Sequence, residues 1–200
     1  MTTPSWKKQN SSKDMTSKKK ILAVDTFYYE ERAKTVGVLF NDWSDSEPEE
    51  IISSWSFDFG PYIPGEFYLR EMPPIIELLS KINMKEVGYL IVDGFLKVYD
   101  ERKGKFDSGL GYRLMELLQP SNKDLVFIGI AKSDFGGTGR KWKIAEEWNR
   151  GPKGSTPLWV QVEGMRMTDL MKCLKRMPGE FRLPDMLRIL DKETKKEREN

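Results

Sequence analysis

The sequence predicts an α/β fold in which a mixed β-sheet carries helices on both of its faces. The first part of the chain holds three strand-like segments joined by short links, which is typical of an antiparallel meander. The second part alternates short apolar runs with segments of helical periodicity, which indicates βαβα units. Two of these runs, YLIV at residues 89–92 and VFIGIA at residues 126–131, fit strands that are covered on both faces.

The composition is that of one globular domain with a charged surface. The chain has 200 residues, of which 38% are hydrophobic and 32% charged, and its formal net charge is +2. Residues 1–20 are polar and lysine-rich, so we interpret them as a disordered basic tail before a single domain at residues 21–195. No apolar run approaches the ~18 residues of a membrane span, and the N-terminus lacks an apolar signal segment. We therefore expect a cytoplasmic protein.

The individual elements follow from the changing period of the apolar residues. Strands are predicted at residues 21–28, 33–40 and 49–59, and the last of these alternates from Ile52 onward. A helix is predicted from Pro73 and Pro74, which suit a first turn. The remaining predictions, in chain order, are a strand at 87–92, a helix at 107–118, strands at 125–131 and 157–162, a helix capped by Thr168, and a helix from Pro184.

The absence of histidine restricts the chemistry that the chain can perform. The sequence contains no histidine and one cysteine, Cys173. Histidine is therefore excluded as acid, base or metal ligand, a structural zinc site is excluded, and no internal disulfide can form. Any metal must bind to carboxylate oxygens, which favours a hard cation such as Mg²⁺ or Mn²⁺.

Charged residues stand where three of the apolar strands end. Asp25 and Asp93 each follow an apolar run, Gly94 comes next, and Lys132 follows a third run. A single aspartate after a strand is usually a turn residue or a helix cap. Two aspartates and a lysine at strand ends instead favour a ligand site, because strand ends in such sheets meet in a crevice. A β-β-β-α-β order with acids on the first and fourth strands resembles the ribonuclease H-type fold, whose clustered acids bind metals.

Five motifs narrow this resemblance further. PYIPGEFYLRE begins at Pro61, and AVDTFY, LIVDG, IGIAKS and GEFRLPDMLRILD complete the set. In this order and spacing they closely resemble endonuclease V, the deoxyinosine-specific repair endonuclease. The resemblance covers residues 21–191. It implies a Mg²⁺-dependent enzyme, with Mn²⁺ as a substitute, that cleaves DNA, or RNA, on the 3′ side of inosine. A monomer is expected.

The resemblance also implies roles for single residues. Asp25 and Asp93 match the metal-binding aspartates of the family, and Glu71 matches its third acidic residue. Lys132 matches the lysine that stabilises charge on the phosphate. Gly94 and Gly65 match backbone positions around the hypoxanthine pocket. The wedge that opens the duplex beside the damaged base matches Pro61, Tyr62, Ile63 and Pro64.

The basic and aromatic residues allow two interpretations. Tyr62 between prolines suits stacking in an opened duplex, and it also suits a turn whose aromatic ring packs on a helix. Residues 136–154 alternate basic and aromatic side chains in a glycine-rich segment, which suits contacts with nucleic acid or an ordinary solvated surface. The members of this segment are Arg140, Lys141, Lys143, Arg150, Lys153, Trp142 and Trp148.

Three positions depart from the family pattern. Phe95 stands where the family has a histidine, and Leu96 stands where it has the following glycine, so we expect Leu96 to crowd the base pocket. Met165 stands where the family has a histidine that assists the metal. Two alternatives to an inosine endonuclease therefore stay open. One is a nucleic-acid-binding protein without turnover, and the other is a nuclease that acts on flaps, mismatches or other structures.

Overall fold

The computed structural model of the chain describes residues 19–57, 59–60, 67–100, 104–153 and 155–197. The predicted tail at residues 1–20 lies almost wholly outside them and stays a prediction. No helix in these ranges is long and apolar enough to cross a bilayer. The strands are β1 Lys20–Tyr28, β2 Ala33–Phe40, β3 Glu50–Ser56, β4 Val87–Asp93, β5 Lys97–Asp100, β6 Lys105–Ser108, β7 Val126–Ala131, β8 Glu146–Trp148 and β9 Leu158–Glu163.

Four α-helices accompany the strands in the described ranges. They are α1 Phe67–Leu79, α2 Leu110–Leu118, α3 Met167–Leu174 and α4 Asp185–Thr194. A short 3₁₀ turn, Phe135–Gly137, follows β7. The predicted α/β architecture is confirmed, and the predicted meander corresponds to β1, β2 and β3.

The main sheet has seven strands in the order β3-β2-β1-β4-β7-β9-β8. The meander pairs antiparallel, whereas β1, β4 and β7 run parallel to one another. Strand β9 pairs antiparallel with β7, and β8 pairs antiparallel with β9. The carboxyl ends of the three parallel strands therefore lie at the same end of the sheet, which we call its carboxyl edge. Strand β9 begins at that same edge.

Helices cover both faces of the sheet, as the apolar runs predict. Side chains alternate along β1, so that Ile21 and Ala23 enter one core while Leu22 and Val24 enter the other. The first core packs against Leu170 and other residues of α3 and α4. The second core packs against α1 and α2. Burial on both faces explains why the central strands have no polar alternation.

Helix α1 begins earlier than the sequence predicts. The two prolines were expected in the first turn, but Pro73 and Pro74 lie inside the helix. Pro74 has no N–H with which to bond the carbonyl of Arg70, four residues earlier. The Tyr28 hydroxyl donates a hydrogen bond to that carbonyl at 3.2 Å. A donor from β1 thus replaces the lost helical bond, and the helix continues through the proline pair.

The largest departure from the sequence-based expectation lies between β4 and α2. Strands β5 and β6 form a two-stranded antiparallel hairpin that is separate from the main sheet. Helix α2 consequently begins at Leu110 and not at residue 107. Strand β8 was also not predicted. Strands of three or four residues are too short to show a period, which explains why the sequence did not reveal them.

Candidate active site at the carboxyl edge of the sheet

The three parallel strands bring the predicted site residues together. Val24 pairs with Val92 between β1 and β4, and Asp93 pairs with Ile130 between β4 and β7. Asp25 and Asp93 therefore lie on neighbouring strands at the same edge, and Lys132 follows the end of β7. Asp25 directly follows the last pair between β1 and β4, although β1 itself continues to Tyr28, and Asp93 is the last residue of β4.

Lys132 is the counter-charge of this acidic edge. Its ammonium donates to Asp93 Oδ2 at 2.7 Å and to Asp191 Oδ1 at 2.9 Å. Burial alone would lower the pKa of Lys132, but the charge of Asp93 and both hydrogen bonds outweigh burial and raise it. Lys132 therefore stays protonated at neutral pH.

Asp191 is a site residue that the sequence-based reasoning missed. It lies on α4, and burial opposes its ionisation, but hydrogen bonds from Lys195 and Lys132 hold its pKa below the usual value. One signal could have revealed it. Asp191 stands four residues after Leu187, which is buried in the core, so the two share one helix face.

Two of the carboxyl groups are strongly perturbed. Burial and then the charge of Asp93 raise the pKa of Asp25 from 3.8 to about 7. Glu71, on α1, has its pKa raised from 4.5 to about 7 by burial and by the charges of Asp25 and Asp93. Glu71 lines one cleft together with Asp93 and Lys132, so α1 brings it to the same edge of the sheet. Perturbed carboxyl groups of this kind are frequent at functional sites.

The donor chemistry of this edge fits a divalent cation. Carboxylate oxygens are the ligands of hard cations, and a cation among Asp25, Glu71 and Asp93 would relieve the repulsion that raises their pKa values. The described residues hold no ready-made group of three or more metal-ligating side chains. The Lys132 ammonium bonds one of these acids, Asp93, and also Asp191, so an ion at Asp93 would compete with Lys132 for that carboxylate.

A cleft of about 350 Å³ opens beside the acids. This is the size of an ordinary small-ligand site. Gly94 forms part of its wall with φ of +125°, a backbone conformation that side-chain-bearing residues rarely adopt. Its lining residues are Tyr68, Glu71, Asp93, Gly94, Phe95, Val98, Gly109, Leu110, Ala131, Lys132, Ser133 and Phe135. Four of the residues that the sequence predicts for the site therefore line this one cleft, namely Glu71, Asp93, Gly94 and Lys132.

The two residues after Gly94 have different positions. Phe95 is buried against Ala131 and Trp159 and lines the cleft. The expectation that Leu96 crowds the cleft is wrong, because Leu96 is buried in the core on the far side. A Cβ atom on Gly111 would lie 2.2 Å from Leu96 Cδ2, so the absence of a side chain there makes room for Leu96.

The interpretation of Met165 as the replacement of a metal-assisting residue is also wrong. Strand β9 is antiparallel to β7, and Glu163 at its end pairs with Phe127 near the start of β7. Met165 therefore lies at the edge of the sheet opposite to Asp25 and Asp93. There it packs against the hydrophobic core, partly buried.

The basic segment at residues 136–154 divides into two groups. Arg150 donates its guanidinium hydrogen bonds to the carbonyls of Met177, Pro178, Gly179 and Phe181. Trp148 is buried in the core. The nucleic-acid interpretation of these two residues is therefore wrong, because Arg150 holds the loop between α3 and α4 and Trp148 is part of the core. Arg140, Lys141 and Lys143 remain on the surface.

Arg182 fixes the backbone that carries Lys132. Its guanidinium donates to the carbonyl of Lys132 and, at 3.1 Å, to the carbonyl of Pro157. These two contacts join the end of β7 to the segment that precedes β9. Arg182 is a positioning residue that the sequence-based reasoning did not identify.

The predicted wedge, Pro61, Tyr62, Ile63 and Pro64, lies outside the described residues together with Gly65, and its role stays a prediction. The described residues on either side fix where the segment attaches. Phe59 packs edge-on against Tyr28 at 5.3 Å, and the Arg70 guanidinium lies 5.0 Å from the Phe59 ring. Phe59 therefore lies beside the first turns of α1, which carry Glu71.

No family model and no curated protein matched the chain. Solved structures did match. A Ciona intestinalis endonuclease V in complex with an inosine-containing DNA has a TM-score of 0.66 and 18% identity, over 88% of this chain and 84% of that one. The human endonuclease V has a TM-score of 0.65 and 21% identity, over 90% and 84%. The Streptomyces avermitilis endonuclease V has a TM-score of 0.64 and 18% identity, over 89% and 80%. The chain therefore has the ribonuclease H-like fold of the endonuclease V structures.

Proposed function

We propose that the protein is a metal-dependent endonuclease of the endonuclease V type that acts, as a monomer, on inosine-containing DNA or RNA in nucleic-acid repair. The observation that carries the proposal is the convergence of Asp25, Glu71, Asp93 and Lys132 beside one cleft. The fold, the acidic edge and the cleft each support a nuclease.

Each site residue has a role in this proposal. Asp25, Asp93 and Glu71 hold Mg²⁺, or Mn²⁺ in its place. When bound, the cation supplies an activated water and neutralises charge on the scissile phosphate. Glu71 orients the attacking water from α1. Lys132 donates to the phosphate oxygens as charge develops on them, and it is poised to do so because its pKa is raised.

The cleft supplies the base-binding part of the site. Gly94 lets a flipped base approach the backbone closely, and the proposed wedge with Tyr62 occupies the vacated place in the stack. Inosine as the recognised base is supported by the similarity to the Ciona protein, whose DNA ligand contains an inosine followed by a ribo-adenosine. In this chain Phe95 adds an apolar ring to the wall of the cleft.

Two alternatives have specific support. The bonds of Lys132 to two acids, and the lack of a ready-made metal cluster in the described ranges, favour a nucleic-acid-binding protein without turnover. Phe95 in the cleft favours a nuclease with another substrate, such as a flap or a mismatch.

A nicking assay distinguishes these possibilities. Inosine-containing and plain duplexes, single strands and flaps are incubated at one salt concentration with Mg²⁺, Mn²⁺ or EDTA. We expect nicking of the inosine substrates with either ion and none with EDTA. Asp93→Asn should be inactive, and the matched control Asp124→Asn, an exposed acid just before β7, should be as active as the wild type. Binding without nicking in any condition would favour the binding protein.

A further inference from the structure

We propose that the β5–β6 hairpin and the loop after β7 form a second nucleic-acid contact surface, which binds the single strand that continues out of the cleft. We call this surface the hairpin platform. It consists of Tyr99, Lys105, Phe106, Phe135, Arg140, Lys141 and Trp142. The inference rests on the proposed function, because it concerns the path of the same substrate.

Three aromatic side chains of the hairpin platform, Tyr99, Phe106 and Trp142, pack into one cluster. Tyr99 and Trp142 stack at a centroid distance of 3.7 Å and an angle of 29°. Phe106 meets Tyr99 edge-on at 5.2 Å and Trp142 at 6.0 Å. A lone two-stranded hairpin is marginally stable, so this cluster fixes the hairpin to the loop. Phe106 nevertheless keeps 49% of its surface exposed, and part of its ring is available to a ligand.

The hairpin platform is continuous with the cleft. Phe135, a member of the platform, and Val98, the chain neighbour of Tyr99, both line the cleft. Phe135 is 54% exposed. The two segments are held closely together, since a Cβ atom on Gly136 would lie 3.3 Å from the Tyr99 carbonyl oxygen. A strand that leaves the cleft on this side passes over exposed aromatic rings.

The charges around these rings suit a phosphate backbone. Lys105, Arg140 and Lys141 are exposed, and the Lys141 ammonium lies 4.8 Å from the Trp142 ring centroid. The nearby Asp134 carboxylate accepts hydrogen bonds from the amides of Gly139 and Arg140, so this acid serves the loop itself. Cations that alternate with exposed rings are the usual surface for unpaired nucleic acid, whose bases stack while its phosphates meet the cations.

A single strand fits better than a duplex. The faces of unpaired bases are open to Phe106 and Phe135, whereas those of a duplex are covered by neighbouring base pairs. The same surface would bind a duplex through its phosphates alone. The hairpin platform should therefore discriminate between the two forms through its aromatic residues and not through its lysines.

The test is binding of a fluorescent single-stranded DNA without inosine, in EDTA and over a salt series, so that neither the base pocket nor turnover contributes. Phe106→Ala should weaken binding about 5- to 150-fold, as expected for the loss of one stacked base. Lys141→Ala should lower the steepness of the salt dependence by about 0.7, the value for one phosphate contact with a single strand. Plain duplex of the same sequence should respond to Lys141→Ala but hardly to Phe106→Ala.

Matched controls lie at the other edge of the sheet. Ile51→Ala removes another exposed apolar side chain, on β3, and Lys123→Ala removes an exposed lysine before β7. Both should bind within twofold of the wild type. Phe106→Tyr keeps the aromatic ring and with it the packing of the hairpin. It should therefore bind single strands as the wild type does, even if Phe106→Ala also loosens the hairpin.

The outcomes separate this inference from the proposed function. If Phe106→Ala and Lys141→Ala bind single strands as the wild type does while the wild type nicks inosine substrates, the hairpin platform is refuted and the nuclease stands. If both variants lose binding while the wild type nicks nothing, the platform stands and the nuclease is refuted. Failure of the wild type to bind single strands overturns the platform whatever the nicking assay gives.

Discussion

The substitution Asp25→Asn should stabilise the metal-free protein at neutral pH while removing its activity. Burial, followed by the charge of Asp93, raises the pKa of Asp25 from 3.8 to about 7 in the folded state. A carboxyl group whose pKa is higher in the folded state than in the unfolded state favours folding when the pH is below its unfolded-state pKa. That contribution is lost as the pH rises from about 4 to about 7, because the unfolded chain ionises first.

The expected magnitude follows from this shift. One pKa unit corresponds to about 1.36 kcal/mol, so a rise from 3.8 to about 7 corresponds to at most about 4 kcal/mol at pH 8. Asparagine carries no charge, and its oxygen can still accept the Thr26 amide hydrogen bond that Asp25 accepts at 2.8 Å. We therefore expect the free energy of unfolding of Asp25→Asn to be about 2–4 kcal/mol higher than that of the wild type at pH 8. For a chain of this size that is roughly 5–15 °C in Tm.

Thermal and urea unfolding in EDTA between pH 4 and pH 8 measure the effect. The two proteins should be nearly equal at pH 4 and should diverge up to about pH 7. Mg²⁺ at pH 8 should raise the Tm of the wild type and have little effect on Asp25→Asn, because the variant lacks a ligand. Glu50→Gln, an exposed carboxylate on β3, is the control and should follow the wild type. Parallel pH profiles for wild type and Asp25→Asn would refute the assignment of Asp25 to a buried acidic cluster.

Four further substitutions test other parts of the site. Asp93→Asn should abolish nicking and leave binding equal or tighter, because a negative charge beside the phosphate is removed; a wild-type rate would contradict the metal assignment. Tyr62→Ala should weaken the preference for inosine duplex over plain duplex by about 1–3 kcal/mol, and an equal loss on both would indicate a purely structural role. Arg182→Lys should lower kcat about 10-fold or more with little change in KM, since Lys132 loses its backbone support, whereas unchanged kcat would show that Lys132 needs no such support. Met165→His should leave Mg²⁺-dependent nicking unchanged, and a large gain would contradict its place at the opposite edge.

Much of this site could be predicted because it lies at the ends of apolar strands. The runs before Asp25, Asp93 and Lys132 are long enough to identify as strands, and parallel neighbours direct their carboxyl ends the same way. Asp191 could not be found in this way because it lies on a helix, where its place four residues after the buried Leu187 is the only signal. The position of Met165 depended on the direction of β9, which apolar content does not reveal.

Helix α1 also shows where local sequence signals are overruled. A proline pair normally indicates a helix start, and here the helix runs through it because the Tyr28 hydroxyl on another element supplies the missing donor. Likewise, Arg150 has the sequence context of a surface cation, but the carbonyls of a distant loop surround its guanidinium. In both cases the deciding partner lies far away in the chain, and no local pattern encodes it.

The proline pair in α1 separates the turn that carries Glu71 from the part of the helix that packs in the core. Beyond the prolines, Ile75, Leu78 and Leu79 anchor the helix in the core. Before them, the turn with Glu71 is tied to β1 through the Tyr28 hydroxyl and the contact of Arg70 with the Tyr28 ring at 4.1 Å. Breaking these contacts would cost one hydrogen bond, on the order of 1 kcal/mol, and one cation–π contact, on the order of 0.5–1 kcal/mol. The placement of Glu71 beside Asp25 therefore depends on one side chain, Tyr28, more than on the packing of the core.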